Sequence, residues 1–265
     1  MPSQPPIPPL LSPYLSTAPS ASLTLLTSTL GASTNWLVLR FIYAGLKNTS
    51  YEKDGSTKEY TENTRVVLVS WLRDGNFWKE GGRKLGINFQ KVQIVYALST
   101  GLGLGAGGLA EVETEILKAV ATAREVTKEN GEARVLLVLD GLDFLLAATG
   151  CATLEIMELV GAVREHVHST LLTSSADLPF TQSPTTALEI SHTAFVMGMA
   201  HQARIIMSVR GLDTGVARDV SGVLRICRGA GAGDEVDEGD GEVEERECLY
   251  FVGADGGVRV FERGA

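Results

Sequence analysis

Two carboxylates stand where a nucleotide-binding protein would hold a magnesium ion. The run VLLVLDGLDFLL, residues 135–146, places an unbroken apolar stretch directly before Asp140, and Asp143 follows closely. Such a stretch predicts a buried strand. A carboxylate at the C-terminal end of a buried strand is a usual partner for nucleotide-bound magnesium. Nucleotide chemistry here therefore depends on whether the chain also has a phosphate-binding loop.

The place of that loop is taken by Ser28–Asn35 (STLGASTN), between the first predicted strand and the first predicted helix. In the motif Gly-x-x-x-x-Gly-Lys-Ser/Thr, glycines let backbone N–H groups wrap the phosphates, and the lysine neutralises their charge. Here Ser28 and Ser33 replace the glycines, Thr34 replaces the lysine and Asn35 replaces the Ser/Thr. Positioning and charge stabilisation supply nearly all of phosphoryl-transfer catalysis. We therefore expect no ATPase activity from the chain alone, no catalytic residue and no bound cofactor.

Without that loop, Asp140 is interpreted as a structural residue. A carboxylate at a strand end commonly orders the following turn, which here begins at Asp140–Gly141. A vestigial or partner-shared metal role is the alternative.

Other patterns that could carry chemistry are weak. The run GLGLGAGG, 101–108, contains the spacing G-x-G-x-x-G but follows the third predicted strand and has no lysine or arginine, so we interpret it as a surface loop. His166 and His168 face different directions, and His192 and His201 lie nine residues apart. No metal site is expected.

The cysteines are interpreted as reduced thiols. Cys151, Cys227 and Cys248 are isolated, without metal-ligand spacing, and their odd number argues against a disulfide framework.

A group of arginines is more suggestive, because it follows the sixth predicted strand closely. Its members are Arg204, Arg210, Arg218, Arg225 and Arg228. Pairing with nearby carboxylates is the structural interpretation. A protein interface or RNA-phosphate contacts are the functional interpretation.

Composition restricts the class of protein. The chain has 265 residues, 44% apolar and 21% charged, with a net charge of −9. These values suit a soluble globular protein and argue against nucleic-acid binding through a general basic field. The N-terminus has no signal-peptide pattern, and no run reaches the roughly 20 apolar residues of a membrane span. We expect an intracellular protein.

The predicted elements alternate between strand and helix and then become all β. Strands are predicted at 23–27, 65–71, 92–98, 135–139, 169–174 and 203–209, and helices at 36–46, 77–85, 111–127, 152–168 and 186–202. Antiparallel strands are expected within 219–229 and 248–264, the last two joined at Asp255–Gly256–Gly257. The polar segment 48–63 is interpreted as a surface loop. One face of the helix 111–127 is expected to carry an apolar stripe of Val112, Ile116, Ala119, Val120 and Ala123. A Pro/Ser-rich arm, 1–20, leads into a single domain, 21–265, whose acidic loop, 230–247, is expected to be disordered. The pattern predicts an α/β fold: a RecA-like, mostly parallel twisted sheet with helices on both faces and a C-terminal antiparallel β extension.

The C-terminal half resembles the Elongator subunit six family. The resemblance is carried by VLLVLDGLDFLLAATG, by TALEISHTAFVMGMAHQARIIMSVRGLDTGVARDVSGVLRI and by CLYFVGADGGVRVFERG. The run Gly211–Gly215 followed by Asp219–Gly222 is its most distinctive part. LTLLTSTLGASTNWLVLRF and VVLVSWLRDGNFWKEGGRKLGIN agree, so the resemblance spans roughly 20–264.

This resemblance implies a non-catalytic RecA-like subunit of a tRNA-modifying complex, in the cytoplasm and nucleus. Subunits four, five and six would form a hetero-hexameric ring that binds tRNA and joins the catalytic subcomplex of subunits one to three, which modifies the wobble uridine, U34. Two alternatives stay open: an ATPase of RecA or circadian-clock type with a divergent phosphate loop, and an adaptor in transcription or signalling without RNA contact.

Overall fold

A computed structural model of the chain describes residues 5–15, 20–47, 49–51, 57–59, 64–125, 134–178, 182–215, 217–232 and 243–262. Its helices are α1 (Ser12–Leu15), α2 (Asn35–Lys47), α3 (Gly75–Leu85), α4 (Ala97–Thr100), α5 (Gly108–Glu125), α6 (Phe144–Thr149), α7 (Thr153–Arg164) and α8 (Ala187–Gln202).

A nine-stranded sheet forms the centre of the molecule, in the order β11-β10-β9-β8-β1-β7-β6-β4-β5. Its strands are β1 (Ser22–Ser28), β4 (Thr64–Ser70), β5 (Val92–Val95), β6 (Arg134–Asp140), β7 (Ser169–Ser175), β8 (Ile205–Arg210), β9 (Gly222–Arg228), β10 (Arg246–Val252) and β11 (Val258–Glu262). The pairs from β8 through β1, β7, β6 and β4 to β5 are parallel. Those from β8 to β11 are antiparallel. The predicted parallel sheet with an antiparallel extension is confirmed.

Helices cover both faces of the parallel strands because those strands are apolar on both faces. On one face α5, α7 and α8 pack against β1, β4, β6 and β7. The predicted apolar stripe of α5 is confirmed in full: Val112, Ile116, Ala119, Val120 and Ala123 are buried. On the other face, α2 and α3 form a second core with the alternate side chains of the same strands.

Some local expectations were wrong. The third strand ends at Val95, and Ala97–Thr100 forms a helical turn that the apolar run VQIVYAL hides. Helix α6 was missed, since its apolar sequence directly follows a strand of the same character. The polar segment expected as a loop contains a two-stranded hairpin, β2 (Thr49–Tyr51) with β3 (Thr57–Glu59).

The N-terminal lead-in is neither extended nor irregular over 9–15. Pro9–Leu11 forms a 3-10 turn that runs into α1, and Leu11, Tyr14 and Leu15 are buried in the α2–α3 core. The hairpin predicted at Asp255–Gly256–Gly257 is confirmed, with Gly256 at φ 84° in the left-handed region. Most of the predicted acidic loop, 233–242, lies outside the described residues.

Candidate functional site

The loop Ser28–Asn35 lies at the carboxyl end of β1 and before α2. The Thr29 N–H donates to the Val209 carbonyl at 3.2 Å, and the Ala176 N–H donates to the Ser28 carbonyl at 2.8 Å. These bonds tie the loop to the ends of β8 and β7. Ligands of open α/β sheets bind outside the carboxyl ends of the strands, so this is the edge where a nucleotide site is expected.

Within the loop, the backbone makes a tight turn before position 34. The Ala32 N–H donates to the Thr29 carbonyl at 3.0 Å, and Gly31 has φ 88°, a left-handed value that favours glycine. Thr34 is only 6% exposed, and its carbonyl accepts the first helical hydrogen bonds of α2. The residue in the lysine position is therefore turned into the protein.

Asp140 joins the ends of three neighbouring strands. Its carboxylate accepts hydrogen bonds from the Ser70 hydroxyl of β4 at 2.6 Å and from the Thr173 hydroxyl of β7 at 2.8 Å. The Gly141 N–H donates to the Thr173 hydroxyl at 2.9 Å, and the Trp71 N–H donates to the Asp140 carbonyl at 3.0 Å. This network supports the interpretation of Asp140 as a residue that orders the strand end and the following turn.

The environment of Asp140 disfavours its charge. The side chain is buried, and burial raises the pKa of its carboxyl above the usual range. Hydrogen bonds from Ser70 and Thr173 and the positive charge of Arg73 act in the opposite direction without reversing the shift.

Sequence reasoning missed the role of Asp143. Its Oδ2 accepts a hydrogen bond from the Ser175 N–H at 3.0 Å and lies 3.1 Å from Nε2 of His192 on α8. Both side chains are buried. Asp143 and His192 are 49 residues apart in sequence. In the sequence, this pair is indicated only by His192, a polar residue on the inward face of an apolar helix.

The structure separates the five candidate arginines. Arg225 lies opposite Ser208 of β8 and Glu247 of β10, and strand alternation places Arg210 on that same face. Arg228 lies three residues after Arg225 on the same strand, so its side chain lies on the opposite face of the sheet. Arg204 precedes β8, at the other end of that strand from Arg210, and Arg218 lies in the β8–β9 connection.

The arginines also differ in pairing. Arg210 lies 2.8 Å from Asp213 and 3.9 Å from Glu247, as in the structural interpretation of this group. The side chains of Arg218 and Arg225 are exposed and make no ion pair with another described residue. Both side chains are therefore accessible to a partner.

Two other expectations concern metals and membranes. Among the described residues there is no group of three or more His, Cys, Asp and Glu side chains that could hold a metal ion. No helix in the described part of the chain is both long and apolar enough to cross a membrane. The glycine-rich run forms turns between α4 and α5, with Gly105, Ala106 and Gly107 exposed.

Comparison with known proteins adds two findings. The family model described as elongation complex protein 6 matches residues 104–248, more than half of the chain. The fold resembles that of a KaiC-like protein from the hyperthermophilic archaeon Pyrococcus horikoshii OT3, with a TM-score of 0.59, 15% identity and 98% of each chain covered. At that identity the likeness concerns the fold alone, and it confirms the predicted RecA-like architecture. No curated protein matches the chain.

Proposed function

The chain belongs to the elongation complex protein 6 family, and on that premise we propose that it is a non-catalytic subunit of the Elongator complex. In this proposal it forms a hetero-hexameric RecA-like ring with subunits four and five, two copies of each. The ring binds tRNA and supports modification of the wobble uridine by the subcomplex of subunits one to three. The complex acts in the cytoplasm and the nucleus.

One observation carries the non-catalytic part of the proposal: the residue in the lysine position of the loop is Thr34, and it is buried. A triphosphate at the end of β1 would meet no cation from this loop. Phosphoryl transfer depends on such charge stabilisation, so the parallel sheet is retained as a scaffold. The loop lies outside the matched segment 104–248, which makes it support independent of the family match.

Co-expression with subunits four and five tests the assembly. The three chains are expected to co-purify as one species whose mass by light scattering equals two copies of each. The chain expressed without its partners serves as the control. Recovery of this chain as a monomer in the presence of both partners, while four and five associate with each other, would contradict the proposal.

Binding of tRNA separates this function from that of an adaptor without RNA contact. The purified ring is expected to retard tRNA in a native gel, with affinity falling as salt is raised because phosphate contacts release counterions. The isolated chain, with its net charge of −9, is expected to bind far more weakly. A complete ring that leaves tRNA unretarded at low salt would favour the adaptor.

A further inference from the structure

The loop between β1 and α2 already holds an anion that belongs to the chain itself. Oδ1 of Asp177, in the segment after β7, accepts a hydrogen bond of 2.6 Å from the Leu30 N–H. Backbone N–H groups of this loop are the groups that contact phosphate in a nucleotide-binding protein. We propose that Asp177 is the residue that excludes phosphate from the loop, by occupying a loop amide with its own carboxylate.

The contact is geometrically built into the two loops. The Ala176 N–H donates to the Ser28 carbonyl at 2.8 Å, which extends the pairing of β1 with β7 and brings Asp177 alongside the turn. The Leu30 side chain is 91% exposed while its N–H is directed at the carboxylate. The turn therefore presents its amide inward, to Asp177, and its apolar side chain outward.

Charge strengthens the exclusion. A hydrogen bond to a carboxylate is about twice as strong as one between neutral groups. Asp143, whose Oδ2 accepts the Ser175 N–H, lies at the same edge of the sheet. A phosphate at the Leu30 amide would meet the Asp177 carboxylate, and like charges repel. The loss of the lysine and the presence of Asp177 thus act in the same direction.

Hydrogen exchange at the Leu30 amide of the full chain tests the contact. Asp177→Ala should accelerate exchange of that amide by about tenfold or more, since it removes a charge-assisted hydrogen bond. Sodium formate should slow exchange again in this variant and leave the wild-type rate unchanged, because formate replaces the missing carboxylate.

Exclusion itself is tested by adding inorganic pyrophosphate and following the Leu30 amide resonance. The resonance should move in Asp177→Ala and stay in place in the wild type. Asp177→Asn retains an oxygen acceptor without the charge, so its response should fall between the two. This milder change also keeps the test valid if the alanine variant does not fold.

Asp255→Ala is the matched control. Asp255 Oδ1 accepts the Gly257 N–H at 2.9 Å, a similar carboxylate-to-amide bond in a distant hairpin. This variant should leave Leu30 exchange and its response to formate and pyrophosphate unchanged.

An unaltered rate of Leu30 amide exchange in Asp177→Ala would contradict the claim that Asp177 accepts a hydrogen bond from the Leu30 N–H. Equal responses of the wild type and Asp177→Ala to pyrophosphate, including no response in either, would overturn the exclusion. Neither result bears on ring assembly, which is measured separately.

Discussion

Nε2 of His192 lies 3.1 Å from Oδ2 of Asp143, and the pair is buried between α8 and the turn after β6. Asp143 also holds the Ser175 N–H at the end of β7. One carboxylate therefore fixes the position of a helix relative to two neighbouring strand ends. Removal of the His192 ring would take one hydrogen-bond partner from this buried carboxylate.

His192→Ala should lower the free energy of unfolding by roughly 3 kcal/mol, because it leaves a buried carboxylate without its histidine. Urea denaturation monitored by tryptophan fluorescence measures the change. His166→Ala, at an exposed position after α7, is the control and should alter stability by less than about 0.5 kcal/mol. Equal effects of the two substitutions would show that the buried pair contributes nothing specific.

The free energy of unfolding should depend on pH through the raised pKa of the Asp140 carboxyl. Its pKa is raised in the folded protein, so between the ordinary carboxyl value near 4 and the raised value the folded state binds more protons than the unfolded state. Its contribution to stability is therefore greatest at low pH and declines as pH rises through this window. The stability of the wild type minus that of Asp140→Asn should be larger near pH 4 than near pH 7.

Asp140→Asn should also cost about 1–3 kcal/mol at neutral pH, because two hydroxyls donate to the carboxylate and an amide has only one oxygen to accept them. Thr173→Val removes one of those donors, which raises the folded-state pKa of Asp140 further, so the total decline in stability with pH should be larger. A stability difference between wild type and Asp140→Asn that does not vary with pH would show that folding does not raise the pKa of Asp140.

Reversing the charge of single arginines tests their role in ring assembly and tRNA binding. Arg218→Glu and Arg225→Glu each reverse an exposed charge and should weaken tRNA binding or ring formation, with circular dichroism unchanged. If one arginine contacts a phosphate, the slope of log affinity against log salt should fall by about 1. Arg210→Glu should have a similar direction of effect, with an added local cost from its contacts to Asp213 and Glu247.

Arg83→Glu, at an exposed position on α3, is the matched control with the same change of charge. If Arg210, Arg218 and Arg225 reversals all leave both assembly and tRNA binding intact, the assignment of these residues is wrong.

Local pattern was enough to predict the order of strands and helices. The stripe on α5 repeats at helical spacing, and Val135–Leu139 has the continuous apolar character of a strand covered on both faces. Both features can be recognised within one short stretch of sequence. The same reasoning failed at Ala97–Thr100 and at α6, where apolar residues continue past a strand end and periodicity does not mark the change.

The site was harder to predict because its contacts join distant segments. The absence of a loop lysine is visible at Thr34, whereas the burial of that residue and the Asp177–Leu30 bond depend on how β1 and β7 pair. The arginines are close in sequence, but it is the register of β8 with β9 that places Arg225 on the same face as Arg210. Sequence spacing gives no register until the turn geometry is known.

The most direct test of the central claim is magnesium-dependent ATP hydrolysis by the purified chain without its partners, with Asp140→Asn as the control for contaminating activity. We expect phosphate release by the two proteins to be the same and indistinguishable from background, because the loop supplies no cation and Thr34 is buried. Steady turnover by the wild-type chain that disappears in Asp140→Asn would contradict the account.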